Sequence, residues 1–290
     1  MQLTYQNTLN QYRTIRDVLT KHFDMSHRFI SKLKQHQAIL LNNIPMYIDK
    51  EIFPSDTITI NLDIEETSPG IVPINQSLDI LYEDDAILII NKPPYMPVHP
   101  SSSHFTDTLA NAVQYYYNKQ HYLFKIHLAN RLDKDTSGIV IFAKNGYIKE
   151  CLIKQMKNHI FKKEYIALLT GILPEESGTI SASISRKEGS IIERKVSANG
   201  AIAITHYNNL KNYDNYCLVH FILETGRTHQ IRVHSQHIGH PILGDSLYGT
   251  NSPLIKRQAL HAYKVTFIHP ITHQTITFEA PVPQDIIKLI

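Results

Sequence analysis

The chain has 290 residues, 42% hydrophobic and 19% charged, the balance of an ordered globular protein and not of a disordered or fibrous one. Its two cysteines, Cys151 and Cys217, are too few for a disulfide framework and too far apart for a zinc cluster, which points to a reducing compartment. The net charge is only +3, but it is unevenly spread: residues 1–50 carry seven Lys or Arg against three Asp, residues 51–90 nine acids and no base, and residues 121–170 nine bases against four acids. Two basic blocks around an acidic one suit contact with a polyanion at two places, or two solvated helix faces.

In chain order, Thr14-Ile-Arg-Asp-Val-Leu19 reads as a capped helix start, and Ser26 caps a second helix in which Phe29, Ile30 and Leu33 share a face. Ile39–Leu41, a turn at Asn42-Asn43 and Thr57–Leu62 read as short strands. Segment 63–78 is acidic, holds Pro and Gly and lacks periodicity, so a linker is expected at 63–77 between a small domain, 1–62, and a large one, 78–290. Ala86–Asn91 reads as a buried strand stopped by Lys92-Pro93-Pro94. Helices are expected at 107–119 and 145–160, and strands at Ile139–Ala143, Lys163–Leu169, Ile202–Tyr207, Tyr216–Leu223 and Val265–Ile268. With no regular βαβ repeat, the fold class is α+β with a largely antiparallel mixed sheet flanked by helices.

Several chemistries lack their signatures. The chain contains no G-x-x-x-x-G-K-[ST], G-x-G-x-x-G or H-E-x-x-H, and Ser137-Gly138 is no nucleophile elbow. No nucleotide cofactor is expected. No basic start leads into an apolar stretch, and no apolar run approaches a membrane span, so no membrane association and a cytoplasmic location are expected.

The densest chemical segment is Asn130-Arg-Leu-Asp-Lys-Asp-Thr-Ser-Gly138, directly ahead of an apolar strand. Arg131 and Asp133 are two apart and point the same way on an extended segment. Read without further context, the segment is equally a turn capped by Asp133 or Asp135. These nine residues resemble the H-R-L-D-x-x-T-S-G signature of the RluA family of pseudouridine synthases, with Asn130 where the family has His. Ile80–Asp85, Ile90–Pro93 and Val98–Pro100 resemble its first motif, Lys163–Ala167 its second, and Thr225–His234 with Gly239–Asp245 and Tyr248-Gly249 its third, in the family's order over about residues 78–283.

The resemblance implies a cofactor-independent enzyme that isomerises uridine to pseudouridine in structured ribosomal or transfer RNA, acting as a monomer. It implies Asp133 as the catalytic carboxylate, Tyr165 against the target base and Arg232 paired with the aspartate. Arg131, Arg227, His229 and Gln230 are expected at the substrate. Asn130 cannot titrate as His does, so activity without a His-like pKa is expected. More faintly, residues 1–62 resemble the RNA-binding domain named after the fourth small-subunit ribosomal protein. That implies RNA contacts from Arg16, Arg28, Lys32 and Lys34; the alternative is a cap that only stabilises the enzyme.

Two competing readings stand beside this one. An RNA-binding or ribosome-assembly protein with an idle site is suggested by Asn130 and the diverged N-terminal unit. A metal-dependent phosphodiesterase would use Asp133 and Asp135. The histidines, including His229 and His234, lack the spacing of a zinc site, so no metal is expected.

Overall fold

In the computed structural model, which describes every residue except 10, 67 and 69, the chain begins with a small sheet. Its strands β1 (Gln2–Gln6), β2 (Ile39–Leu41), β3 (Ile44–Pro45) and β4 (Thr57–Asn61) lie in the order β1-β4-β2-β3. Asn42 and Asn43 both take positive φ, which bends β2 tightly into β3. Thr14 and Asp17 form a capping box at α1 (Ile15–Asp17), which runs on as a π-helical turn, Val18–His22. Ser26 accepts from the Phe29 amide and starts α2 (His27–Gln35), whose Phe29, Ile30 and Leu33 are buried.

The rest of the chain is built on one large sheet. Its first half comprises β5 (Ile80–Glu83), β6 (Ile87–Lys92), α3 (Leu109–Lys119), β7 (His127–Leu128), β8 (Ser137–Ala143), α4 (Gly146–Lys157) and β9 (Lys162–Thr170). Then come β10 (Ser177–Ser181), β11 (Ile184–Arg186), β12 (Arg194–Val196), β13 (Ile204–Asn212), β14 (Tyr216–Leu223), α5 (Gln230–His237), β15 (Leu260–Ile268), β16 (Thr275–Glu279) and α6 (Gln284–Ile287). Among the described residues the large sheet runs β10-β13-β14-β9-β15-β8-β6-β5, with β16 on β15 and β7 on β8, while β11 and β12 make a separate hairpin. Among the described residues only β15 and β8 pair in parallel, so the fold is the mixed, mainly antiparallel α+β arrangement expected.

Strands β6 and β8 are apolar at successive positions because both of their faces are covered. Leu88, Ile90, Val140 and Phe142 enter one core with Tyr165 and Phe221. Ile87, Ile89, Ile139 and Ile141 enter the other with α4 and the N-terminal unit. That second core joins the two parts of the chain: Phe29 and Tyr147 stand 6.1 Å apart, Ser26 Oγ donates to Glu150 at 2.6 Å, and Lys154 pairs with Asp24 at 2.7 Å. Positions 67 and 69 of the expected linker lie outside the described residues.

β15 begins five residues earlier than its apolar run suggests, because His261 is buried in it yet satisfied by Ser137 Oγ at 3.0 Å and the Ala280 carbonyl at 3.3 Å. Burial pushes the pKa values of His127 and His261 down from 6.5 to about 4. The unfolded chain accepts these protons near pH 6.5 and the folded one only near 4. Each histidine therefore leaves stability intact above pH 6.5 and removes it as the pH falls from 6.5 towards 4. By pH 5.5 the loss is roughly 1 kcal/mol per histidine. Thermal melts at pH 7.5 and 5.5 should show this drop, and His127→Gln/His261→Gln should flatten it; an equal drop in the variant would refute the assignment.

Candidate active site

The loop between β7 and β8 is tied down before it does any chemistry. Asn130 donates its amide to the Ile139 carbonyl at 3.0 Å and accepts from the Ile141 N–H at 2.8 Å, continuing with its side chain the ladder that Ala129 begins. Lys92 is fully buried at the end of β6, and its ammonium donates to the carbonyls of Pro93, Met96 and Lys134 at 2.7–2.9 Å. Burial pushes its pKa down to about 7. Thr136 closes the loop by donating its N–H to the Asp133 carbonyl at 3.1 Å.

Asp133 projects from this loop into a pocket of about 850 Å³, a size suited to a nucleotide. Its Oδ2 accepts from Arg232 Nη1 at 3.0 Å. Arg232, on α5, is held from behind by Asp245, which accepts from Nε at 2.7 Å and from Nη2 at 2.9 Å. The Tyr248 ring lies 5.0 Å from the guanidinium carbon. Burial alone would lower the Arg232 pKa, but the hydrogen bonds and charge of Asp245, then those of Asp133, outweigh it and hold it raised. Asp245 is 1% exposed and also accepts from the Leu247 and Tyr248 amides, so its bidentate grip is fixed.

The second oxygen, Asp133 Oδ1, faces His229 Nε2 at 3.8 Å. His229 caps α5 in a left-handed conformation, φ 58°. Tyr248 Oη accepts from the Arg194 N–H at 2.7 Å and pairs with His229 Nδ1 at 2.8 Å. In the tautomer where Tyr248 donates to Nδ1, Nε2 carries the imidazole hydrogen and faces Oδ1 as a donor. Burial, with Arg232 and Arg194 and against Asp133, pushes the His229 pKa down, which favours the neutral ring.

Tyr165, on β9, faces the pocket with Leu223 and Leu260, and burial, then Asp133, pushes its phenol pKa up. Lys163 lies two residues before it, and burial, then Arg227, lowers the Lys163 pKa. Gly226 lets this ammonium approach: a Cβ there would sit 2.9 Å from Lys163 Nζ. Arg131 is exposed at the rim, and Arg227 lines the pocket while donating to the Ile202 carbonyl at 2.9 Å.

Gln230 lines the pocket but is engaged by the protein. It accepts from Thr225 Oγ1 and the Arg227 N–H and donates to the Ile204 carbonyl and Thr205 Oγ1, all within 3.0 Å. Its place is to hold the 225–227 turn. Asp133 is the one carboxylate among the lining residues, and Lys125, Lys149, Lys163, Arg131 and Arg227 surround it with no carboxylate partner among the described residues.

Lys125, Lys149 and Lys163 belong to the basic block at 121–170 but were not assigned to the site, although period-two alternation from Tyr165 marks Lys163. Asp245 and Tyr248 lie in the third motif, which assigned neither a role; their partners Arg232 and His229 are supplied by the tertiary structure. Of the N-terminal bases, Arg28 and Lys34 are exposed, Arg16 pairs with Asp49 at 2.7 Å and Lys32 with Glu66. The charge of Arg28 reaches Lys149, whose pKa is lowered by burial, then Lys125, then Arg28. Among the described residues no three His, Cys, Asp or Glu side chains gather into a group able to hold a metal ion, and no helix is long and apolar enough to cross a membrane.

A family model described as RNA pseudouridylate synthase matches residues 86–237. The chain is 41% identical over 244 residues to the uncharacterized RNA pseudouridine synthase YjbO of Bacillus subtilis, spanning 84% of this chain and 85% of that one. It is 33% identical over 280 residues to the ribosomal large subunit pseudouridine synthase D of Neisseria meningitidis serogroup B, spanning 92% and 75%. Among solved structures, human RNA Pseudouridylate Synthase Domain Containing 1 matches with a TM-score of 0.59 at 26% identity, covering 71% of this chain and 83% of that one.

Proposed function

The chain belongs to the RluA family of RNA pseudouridine synthases, and from that premise we propose that Asp133 carries the isomerisation, with ribosomal RNA as the substrate. The observation that supports this most is a single carboxylate inside a ring of unpaired cations. A polyanionic strand is drawn to such a ring, and the one carboxylate in it supplies the anionic nucleophile or base.

Pseudouridine forms when the bond from ribose C1′ to uracil N1 breaks, the base turns, and C5 bonds to C1′ while its proton leaves. Asp133 Oδ1, the oxygen not held by Arg232, attacks C1′ or removes a ribose proton; either act detaches the uracil. The Tyr165 ring retains the detached base by its face. Once freed, Asp133 is also the nearest carboxylate to take the C5 proton. Arg131 and Arg227 hold flanking phosphates, His229 donates through Nε2 to the bound nucleotide, and Gln230 acts by holding the turn. No step draws on a cofactor.

Ribosomal RNA is favoured because the Neisseria relative is named for the large ribosomal subunit. Residues 1–62 act as an RNA-binding domain joined through 63–77 to the catalytic domain, 78–290, in a cytoplasmic monomer. Support comes from Arg28, whose charge reaches Lys149 beside Lys125 and extends the basic lining out of the pocket, and Lys34 is exposed on the same helix, α2. Arg16 and Lys32 would have to leave Asp49 and Glu66 to take phosphates.

The test is tritium release from ribosomal RNA labelled at uridine C5, prepared from cells lacking the protein. Release that survives a chelator supports the reading; retention of the RNA without release would identify an idle site. For the track, Lys149→Ala should lower the slope of log affinity against log salt by about 1 while leaving the fold unchanged. An unchanged slope would remove Lys149 from the RNA path.

A further inference from the structure

Between β11 and β12 the chain makes a hairpin whose tip exposes Ile191 and Ile192 at 84% and 57%. The hairpin is stiff. Lys187 donates its N–H to the Glu193 carbonyl at 3.0 Å and pairs through its ammonium with the Glu193 carboxylate at 2.9 Å, while Ser190 Oγ accepts from the Glu193 N–H at 3.0 Å. Its inner end is packed: Ile184 is buried with Ala203, Val233 and Tyr248 in a small core of its own. Arg186 stands opposite Arg194, and Lys195 is exposed beside them. From the loop end of the ladder the Arg194 N–H reaches Tyr248, Tyr248 reaches His229, and His229 faces Asp133.

Two adjacent exposed isoleucines gain nothing from water. Glu193 is paired to Lys187, so Arg186, Arg194 and Lys195, unpaired among the described residues, outnumber the exposed Glu188, which argues for a polyanion over an apolar protein surface. A stiff apolar tip with phosphate-binding flanks fits a stacked helical strand, which side chains of this kind enter by parting neighbouring bases. The target uridine has to leave its stack to reach a pocket beside Asp133. We propose that Ile191 and Ile192 form a wedge that enters the base stack of an RNA stem next to the target uridine, with Arg186, Arg194 and Lys195 on the flanking phosphates. The inference rests on the reading of the chain as an RNA-modifying enzyme.

The test compares wild type, Ile191→Ser/Ile192→Ser and Ile191→Leu/Ile192→Leu on folded large-subunit ribosomal RNA labelled at uridine C5. Both side chains are exposed, so the fold should persist, checked by circular dichroism. The serine variant should release tritium about ten-fold more slowly or worse, the leucine variant at the wild-type rate, and the salt slope of RNA affinity should be unchanged in both. Equal release by the serine variant, a loss shared by the leucine variant, or a fall in the salt slope would overturn the wedge. If wild type releases nothing, the catalytic reading fails separately and affinity decides. Weaker retention of the RNA by the serine variant at an unchanged salt slope then sustains the wedge, and equal retention overturns it.

Discussion

Asp133→Asn should abolish tritium release by about 10⁴-fold or more while RNA is still bound as tightly as by wild type, or more tightly. Asparagine keeps the shape of the side chain and an oxygen for Arg232 Nη1, which now lies 3.0 Å from Oδ2. Arg232 does not become an unpaired buried charge, because Asp245 still holds its other two nitrogens at 2.7 and 2.9 Å. The fold therefore has no reason to change. What disappears is the negative oxygen that either attacks C1′ or takes a ribose proton. Removing the one carboxylate from a pocket lined by lysines and arginines also lessens repulsion of phosphate. Single-turnover release and filter binding on the same RNA separate the two effects. Residual release above a hundredth of wild type, or RNA affinity lost in parallel, would count against Asp133 as the reacting group.

Gly138→Ala should destabilise the protein by roughly 3 kcal/mol or more and take activity with it. Gly138 has φ +112°, a conformation L residues rarely adopt, and a Cβ there would stand 2.2 Å from the Ala262 carbonyl oxygen. The obstacle is backbone, which cannot swing aside as a side chain does. The contact is also where β8 and β15 make their parallel pairing, His261 to Ser137 and Ala262 to Gly138. Relief requires the strands to part, which would disturb the Ser137–His261 bond and the loop that ends at Thr136. A large fall in melting temperature is the expected reading. A variant that melts within a degree or two of wild type would show that the strands adjust at little cost.

Much of the fold could be read locally. Caps at Thr14 and Ser26, the Asn42-Asn43 turn and the uninterrupted apolar runs of β6 and β8 are set by the stereochemistry of neighbouring residues. Less legible were the strands that carry polar residues. β15 is extended by a buried His261 whose partners lie 124 and 19 residues away. Gln230–His237, the second half of a histidine-rich stretch, is a helix with His229 as cap, which no periodicity announced.

The same division runs through the site. The family resemblance pointed to Asp133, Tyr165 and Arg232 as a set, and the structure brings all three to one pocket. Only the tertiary structure decided how they are held. Arg232 meets Asp133 across 99 residues, Asp245 supports it from behind, and Tyr248 orients the imidazole of His229. Asn130 uses its amide to bond the backbone of β8 from both ends, and Gln230 uses all four of its bonds on the 225–227 turn and β13, so Gln230 is not left free for substrate. Residue type and spacing report which groups a segment can offer. Which of them remain unsatisfied and face the pocket depends on hydrogen bonds closed between distant segments, and those exist only once the sheet has formed.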